Sequence, residues 1–145
     1  KTYRMGASAH AGGEAQAVHA LIDAEVASGV AANRIVIAGF SQGGAIALHT
    51  GLRYPESLAG VMALSTYLPL AESFAKEATP ANARTPVFMA HGTQDPVVPY
   101  AMGRGSRDLL QQAGYALEWQ EYPMQHSVCL EEVADIGRWL TGVLA

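Results

Sequence analysis

At 145 residues, half of them apolar and 15% charged, the chain suits one domain covering residues 1–145, able to bury roughly two thirds of its unfolded surface, and not a disordered tail. Nine Lys and Arg against 13 Asp and Glu give a net charge of −4. With no basic cluster, that balance argues against nucleic acid or an anionic membrane as partner, and no apolar run approaches the roughly 20 residues of a membrane span.

The first predicted helix covers residues 14–28, alanine-rich with Val18, Leu21, Ile22 and Val26, and Gly29 is its stop. Strand Ile35-Val36-Ile37-Ala38 follows. Next come Gly39-Phe40-Ser41-Gln42-Gly43-Gly44 and a helix through Ala45-Ile46-Ala47-Leu48-His49 that ends near Tyr54-Pro55. A second strand lies within residues 58–64, and residues 72–78 form a short, weakly patterned helix. The third strand, Val87-Phe88-Met89-Ala90, runs into His91-Gly92. A helix over residues 100–113 stops at Gly114. The fourth strand, 117–122, alternates Leu117 and Trp119 with Glu118 and Gln120, as a half-buried strand does. A closing helix sets Cys129, Val133, Ile136, Leu140 and Val143 on one face. This alternation implies an α/β fold: a mostly parallel sheet of about four strands, right-handed crossovers and helices on both faces, a three-layer αβα sandwich. No internal repeat, low-complexity tract or linker interrupts it.

A serine between glycines, at the junction of a buried strand and a helix, is the nucleophile-elbow pattern. The turn is so tight that the residues flanking the serine must be small. In parallel sheets functional groups collect at the C-terminal ends of strands, and three candidates sit there. Ser41 follows the first strand, Asp95 lies after the third and His126 after the fourth. A serine hydroxyl becomes a nucleophile when an imidazole takes its proton, and a carboxylate on the other ring nitrogen fixes the tautomer and stabilises the imidazolium. The backbone N–H of Gln42, the residue after the serine, is the expected first oxyanion donor.

The chain resembles the carboxylesterase/acyl-protein thioesterase (phospholipase/carboxylesterase) family of α/β-hydrolases, especially its bacterial carboxylesterases. The likeness rests on Gly39-Phe40-Ser41-Gln42-Gly43-Gly44, on Ala63-Leu64-Ser65-Thr66-Tyr67-Leu68-Pro69, on His91-Gly92-Thr93-Gln94-Asp95-Pro96-Val97-Val98 and on Trp119-Gln120-Glu121-Tyr122-Pro123-Met124-Gln125-His126. It extends from about Ala15 to the C-terminus. It implies Ser41 as nucleophile, Asp95 as acid and His126 as base, acting on small carboxylic esters, with thioesters as a further class, and needing no cofactor. It also implies Leu68, Val97 and Val98 as the acyl pocket. Two departures stand out. Position 125, usually glycine in the family's histidine motif, is Gln125, which is expected to alter the loop carrying His126. The family's fold also begins with further strands, a helix and a His-Gly-x-Gly loop supplying the second oxyanion N–H, all before the matched part. The expectation is therefore a truncated, minimal α/β-hydrolase with strand 35–38 at an open edge. Its second oxyanion donor is then expected from Gly6, from Gly12-Gly13 or from a second subunit.

Other readings attach to the same residues. The glycine loop could cradle phosphate, but the P-loop lysine and the G-x-G-x-x-G spacing are absent. The elbow could persist as architecture alone, in a remnant that serves as a binding or assembly module. Asp95 could be a turn residue before Pro96. Cys129, three residues from His126, reads as a buried thiol in an apolar register and not as a nucleophile. His91 and His49 read as structural, His10 and His19 as surface, and no metal-site spacing appears. The single cysteine excludes an intrachain disulfide and suits a reducing, cytoplasmic setting. An open sheet edge or an uncovered apolar face favours a homodimer or larger homo-oligomer.

Overall fold

The four apolar runs become four parallel strands in the computed structural model, which describes residues 11–145. They are β1 (Val36–Phe40), β2 (Gly60–Leu64), β3 (Val87–Gly92) and β4 (Leu117–Tyr122), hydrogen-bonded in the order β1-β2-β3-β4. Ile37 pairs with Val61, Met62 with Phe88, and Met89 with Trp119. Five helices accompany them: α1 (Ala11–Ala27), α2 (Gln42–Gly51), α3 (Ala71–Glu77), α4 (Tyr100–Gln112) and α5 (Leu130–Leu144).

Because side chains alternate along a strand, each strand serves two cores. Ile37, Val61, Ala63, Val87 and Met89 face α1 to α4, meeting Val18, Ile22, Ile46, Leu48, Phe74 and Leu110. Met62, Leu64, Phe88 and Ala90 face the other way, where α5 supplies Trp139 with Ile136, Leu140 and Val143 packed around it. All three crossover helices thus lie on one face, which is what carries parallel strands steadily in one direction. Three layers result, as the alternation in sequence implies, with α5 alone forming the third among the described residues.

Several boundaries differ from expectation for local reasons. Helix α1 starts at Ala11, earlier than predicted, and ends where Gly29 takes a left-handed φ of 107°. Ile35 belongs to a short 3-10 turn whose capping N–H bonds to Ala32 O, so β1 begins at Val36 and continues through Gly39 and Phe40. Strand β3 extends through His91 and Gly92 because these pair with Glu121 and Tyr122 of β4.

Of the predicted α5 stripe, Cys129, Ile136, Leu140 and Val143 pack against the second core, but Val133 does not. Val133 is 54% exposed, whereas Glu132 and Trp139 are buried. At about 100° per residue, Val133 lies far round the helix from the line through Glu132, Ile136, Trp139 and Val143. Trp139 sets that line. Its ring packs on Phe88 with 5.7 Å between centroids, and a Cβ on Gly60 would approach it to 2.5 Å. Cys129 is the N-cap residue of α5 and only half-buried, so the expected buried thiol is corrected to a partly covered one at a helix start.

Among the described residues no helix is long and apolar enough to cross a membrane.

Candidate active site

The turn after β1 forces Ser41 to φ 57° and ψ −120°, a conformation that costs a side-chain-bearing residue about 1–3 kcal/mol. Its backbone is held on both sides: Ser41 N–H donates to Leu64 O (2.8 Å), and Ser41 O accepts from the N–H of Gly44 and Ala45. The glycines divide into two kinds. A Cβ on Gly39 would overlap the Gly43 carbonyl, and one on Gly44 would lie 2.7 Å from Thr66 Cγ2. Around Gly43, by contrast, nothing lies within 4 Å. Tight packing therefore explains Gly39 and Gly44 but not Gly43, which corrects the expectation that every flanking glycine answers to crowding. Gln42 opens α2, where first-turn N–H groups have no carbonyl of their own helix to bond.

The loops after β3 and β4 bring Asp95 and His126 to this serine. His126 Nε2 lies 3.0 Å from Ser41 Oγ, and His126 Nδ1 lies 2.7 Å from Asp95 Oδ2. The other carboxylate oxygen, Asp95 Oδ1, accepts from the N–H of Val97 (2.8 Å) and Val98 (2.9 Å). Burial alone would raise the Asp95 carboxyl, whose side chain is wholly buried. The His126 hydrogen bond and the Val98 and Val97 N–H groups outweigh it and hold the group below the usual carboxylate range. The acid is thus kept ionised in a site that excludes water from it.

The two loops are laced together. Thr93 N–H donates to Tyr122 O and Gln94 N–H to Met124 O. A Cβ on Gly92 would overlap the backbone carbonyls of Met124 and Gln125, so only glycine lets the histidine loop close on β3. Gln125 itself is absent from the three non-glycine residues with positive φ (Ser41, Ser65 and Leu70), so the loop geometry does not call for glycine there. Two residues near the site have no role assigned to them from the sequence alone. The Phe40 ring lies 4.8 Å from that of His126, tilted by 46°, and forms an exposed wall beside it. Ser65, at the end of β2 with φ 52°, is buried and donates its N–H to Ala90 O.

The remaining predicted residues are scattered. Val97 is exposed and Val98 buried; both reach Asp95 through backbone N–H groups. Leu68 is buried in the core on the α4 side, and its N–H bonds to Ser106 Oγ. Gly12 and Gly13 lie in the first turn of α1, and Gly6 and His10 fall outside the described residues. His19 stands at the surface, its ring 4.9 Å from that of Tyr54 and 3.6 Å from Asp23. His49 is half-buried in α2, and desolvation, then the nearby Arg53, push its imidazole down. Among the described residues no three His, Cys, Asp or Glu side chains converge as a metal site requires. A cavity of about 460 Å³ runs along the edge of β1 that has no strand neighbour among the described residues, between α1 and α5, lined by Val18, Ile22, Val36, Ala38, Leu140 and Leu144, apart from the Ser41 cluster.

Comparison with known proteins gives a consistent result. A family model described as Phospholipase/Carboxylesterase matches residues 7–144. Acyl-protein thioesterase 1 of Neurospora crassa is 52% identical over 127 residues, covering 85% of this chain and 51% of that protein. A probable carboxylesterase of Oryza sativa subsp. japonica is 39% identical over 124 residues, covering 85% of this chain and 47% of that protein. The crystal structure of Arabidopsis thaliana SOBER1 superposes with a TM-score of 0.88 at 33% identity, covering 93% of this chain and 65% of that one. The chain thus spans about half the length of these two curated relatives.

Proposed function

We propose, from the premise that this chain belongs to the phospholipase/carboxylesterase family, that it is a serine hydrolase cleaving small carboxylic esters, and thioesters too, through an acyl-enzyme. The observation that carries the reading is the continuous relay from Ser41 Oγ through His126 to Asp95, at 3.0 and 2.7 Å. In it His126 Nε2 takes the Ser41 proton as Oγ attacks the substrate carbonyl carbon. Asp95 steadies the imidazolium, and the oxyanion rests on Gln42 N–H. Collapse expels the alcohol or thiol, which receives the proton from His126. Water, activated by the same imidazole, then releases the acid and restores Ser41.

A second oxyanion donor belongs to the proposal, since losing one such donor costs about 10²–10³ in rate. Stoichiometric labelling with an organophosphonate tests the reading directly, because only an activated serine reacts. The parent is expected to label once per chain, and Ser41→Ala not at all. A Ser41→Ala protein that hydrolyses a short-chain nitrophenyl ester as fast as the parent overturns the assignment.

A second reading, an inactive remnant serving as a binding or assembly module, is favoured by one observation. Strand β1 has a single neighbour among the described strands, with the apolar cavity beside its free edge. That edge also supports self-association into a homodimer or larger homo-oligomer. Monomeric elution at high concentration counts against both.

A further inference from the structure

A histidine buried among aliphatic side chains gives up its hydration and needs specific partners in return. His91, in β3, is fully buried. The Trp119 ring lies nearly parallel to it, 11° off with centroids 6.2 Å apart, and the Tyr100 ring meets it edge-on at 6.4 Å. On a third side Gly103 of α4 presses so close that a Cβ there would stand 2.5 Å from Nδ1. Nδ1 has no hydrogen-bond partner, while Nε2 lies 2.8 Å from Val98 O and 3.6 Å from Asp95 Oδ2. A carbonyl only accepts, so the ring carries its proton on Nε2 and donates it to Val98.

Both backbone polar groups of Val98 are then engaged. Its N–H holds Asp95 Oδ1 and its C=O is held by His91. An apolar residue at position 91 would fill the space with no desolvation cost, so packing alone does not account for a histidine. We propose that His91 is a positioning residue for the acid: by anchoring Val98 it aims the Asp95 carboxylate at His126 Nδ1. The role of that aim rests on the serine hydrolase reading, but the aim itself does not.

His91→Gln and His91→Met separate the donor from the ring. The two replacements have the same length and both lose the aromatic packing, yet only glutamine can donate to Val98 O. The measurements are the low-field His126 Nδ1–H proton resonance and the rate of organophosphonate labelling, taken where circular dichroism shows each variant folded. His91→Gln is expected to keep the resonance and label within roughly threefold of the parent. His91→Met is expected to lose it and label about tenfold more slowly, the scale of one hydrogen bond. A His91→Met protein that keeps resonance and rate overturns the proposal, as does a His91→Gln protein that falls equally far. If both variants unfold, ¹⁵N spectra of the parent decide: a proton on His91 Nε2 coupled to the Val98 carbonyl supports the proposal, and one on Nδ1 overturns it. A parent that never labels defeats the hydrolase reading alone, because the resonance comparison still decides the role of His91.

Discussion

The two arms that bring Asp95 and His126 together are built differently. The acid arm, from β3 through Asp95 to α4, holds its carboxylate buried and fully bonded: both Asp95 oxygens have partners, and His91 Nε2 bonds to Val98 O. The histidine arm, from β4 through His126 to α5, is more open. His126 keeps 16% side-chain exposure, and its loop is held at its ends. Tyr122 Oη donates to Asp135 Oδ2 at 2.5 Å, and Met124 O accepts from Gln94 N–H. Behind it sits Glu132, fully buried, neither oxygen making a hydrogen bond of regular geometry. The contrast teaches that Asp95 is fixed by its own loop, whereas His126 is placed by what its loop leans on.

The largest expected effect comes from breaking the acid arm chemically while sparing its shape. In Asp95→Asn the Oδ1 bonds to Val97 and Val98 survive, but an amide N–H faces His126 Nδ1 and selects the wrong tautomer. A fall in kcat/KM of roughly 10³–10⁴ is expected, with a melting temperature near that of the parent. Equal loss of both would mean that the arm fails as a structure.

Next comes the ledge under the histidine arm. In Gly92→Ala the new methyl meets two backbone carbonyls that cannot rotate away. A destabilisation of about 1–3 kcal/mol in chemical denaturation is expected, with phosphonate labelling slowed because His126 is lifted from Ser41. Unchanged labelling would show that the loop does not depend on that ledge.

Glu132 supplies a pH-dependent contrast. Burial pushes its carboxyl from an ordinary value near 4.5 up to about 7, partly offset by the Cys129 N–H, with the Asp135 charge adding to the rise. Between those values the folded protein holds a proton that the unfolded chain releases. The parent therefore loses stability as pH climbs through that window and levels off above it. Glu132→Gln removes the loss. Denaturation across the window should show the variant equal to the parent at the acid end, and more stable at the alkaline end by on the order of 3 kcal/mol. Parallel stability curves would contradict this.

The smallest effect tests how far the rigidity of the acid arm extends. Gly105, in α4 two residues from the crowded Gly103, has nothing within 4 Å of a Cβ position. Gly105→Ala should stabilise the protein by about 0.5–1 kcal/mol through helix propensity, leaving labelling untouched.

Much of this was legible in the sequence, and the reasons are physical. Ser41, Asp95 and His126 could be picked out because a strand end, a tight turn and a fixed chain order constrain them locally. The sheet could be read because its strands are short apolar runs bounded by turn residues. What escaped depends on contacts between distant segments. Trp139 turns the buried line of α5 away from Val133 only because Gly60 leaves it room. Phe40 meets His126 only after 85 residues of intervening chain have folded back. The crowding that separates Gly44 from Gly43 comes from Thr66, which no local pattern could name.

The solitary position of α5 has a consequence for how the molecule assembles. Ser41 and His126 are separated by 85 positions, and the residues just after His126 enter the only helix that covers the second face of the sheet among the described residues. Contacts between distant segments form late in folding because the loop they close must first be ordered. Docking of α5 and capture of His126 by Ser41 are therefore expected to come together and late. During refolding, helical signal and burial of Trp119 should return before phosphonate reactivity, which makes the serine a timer for that late step.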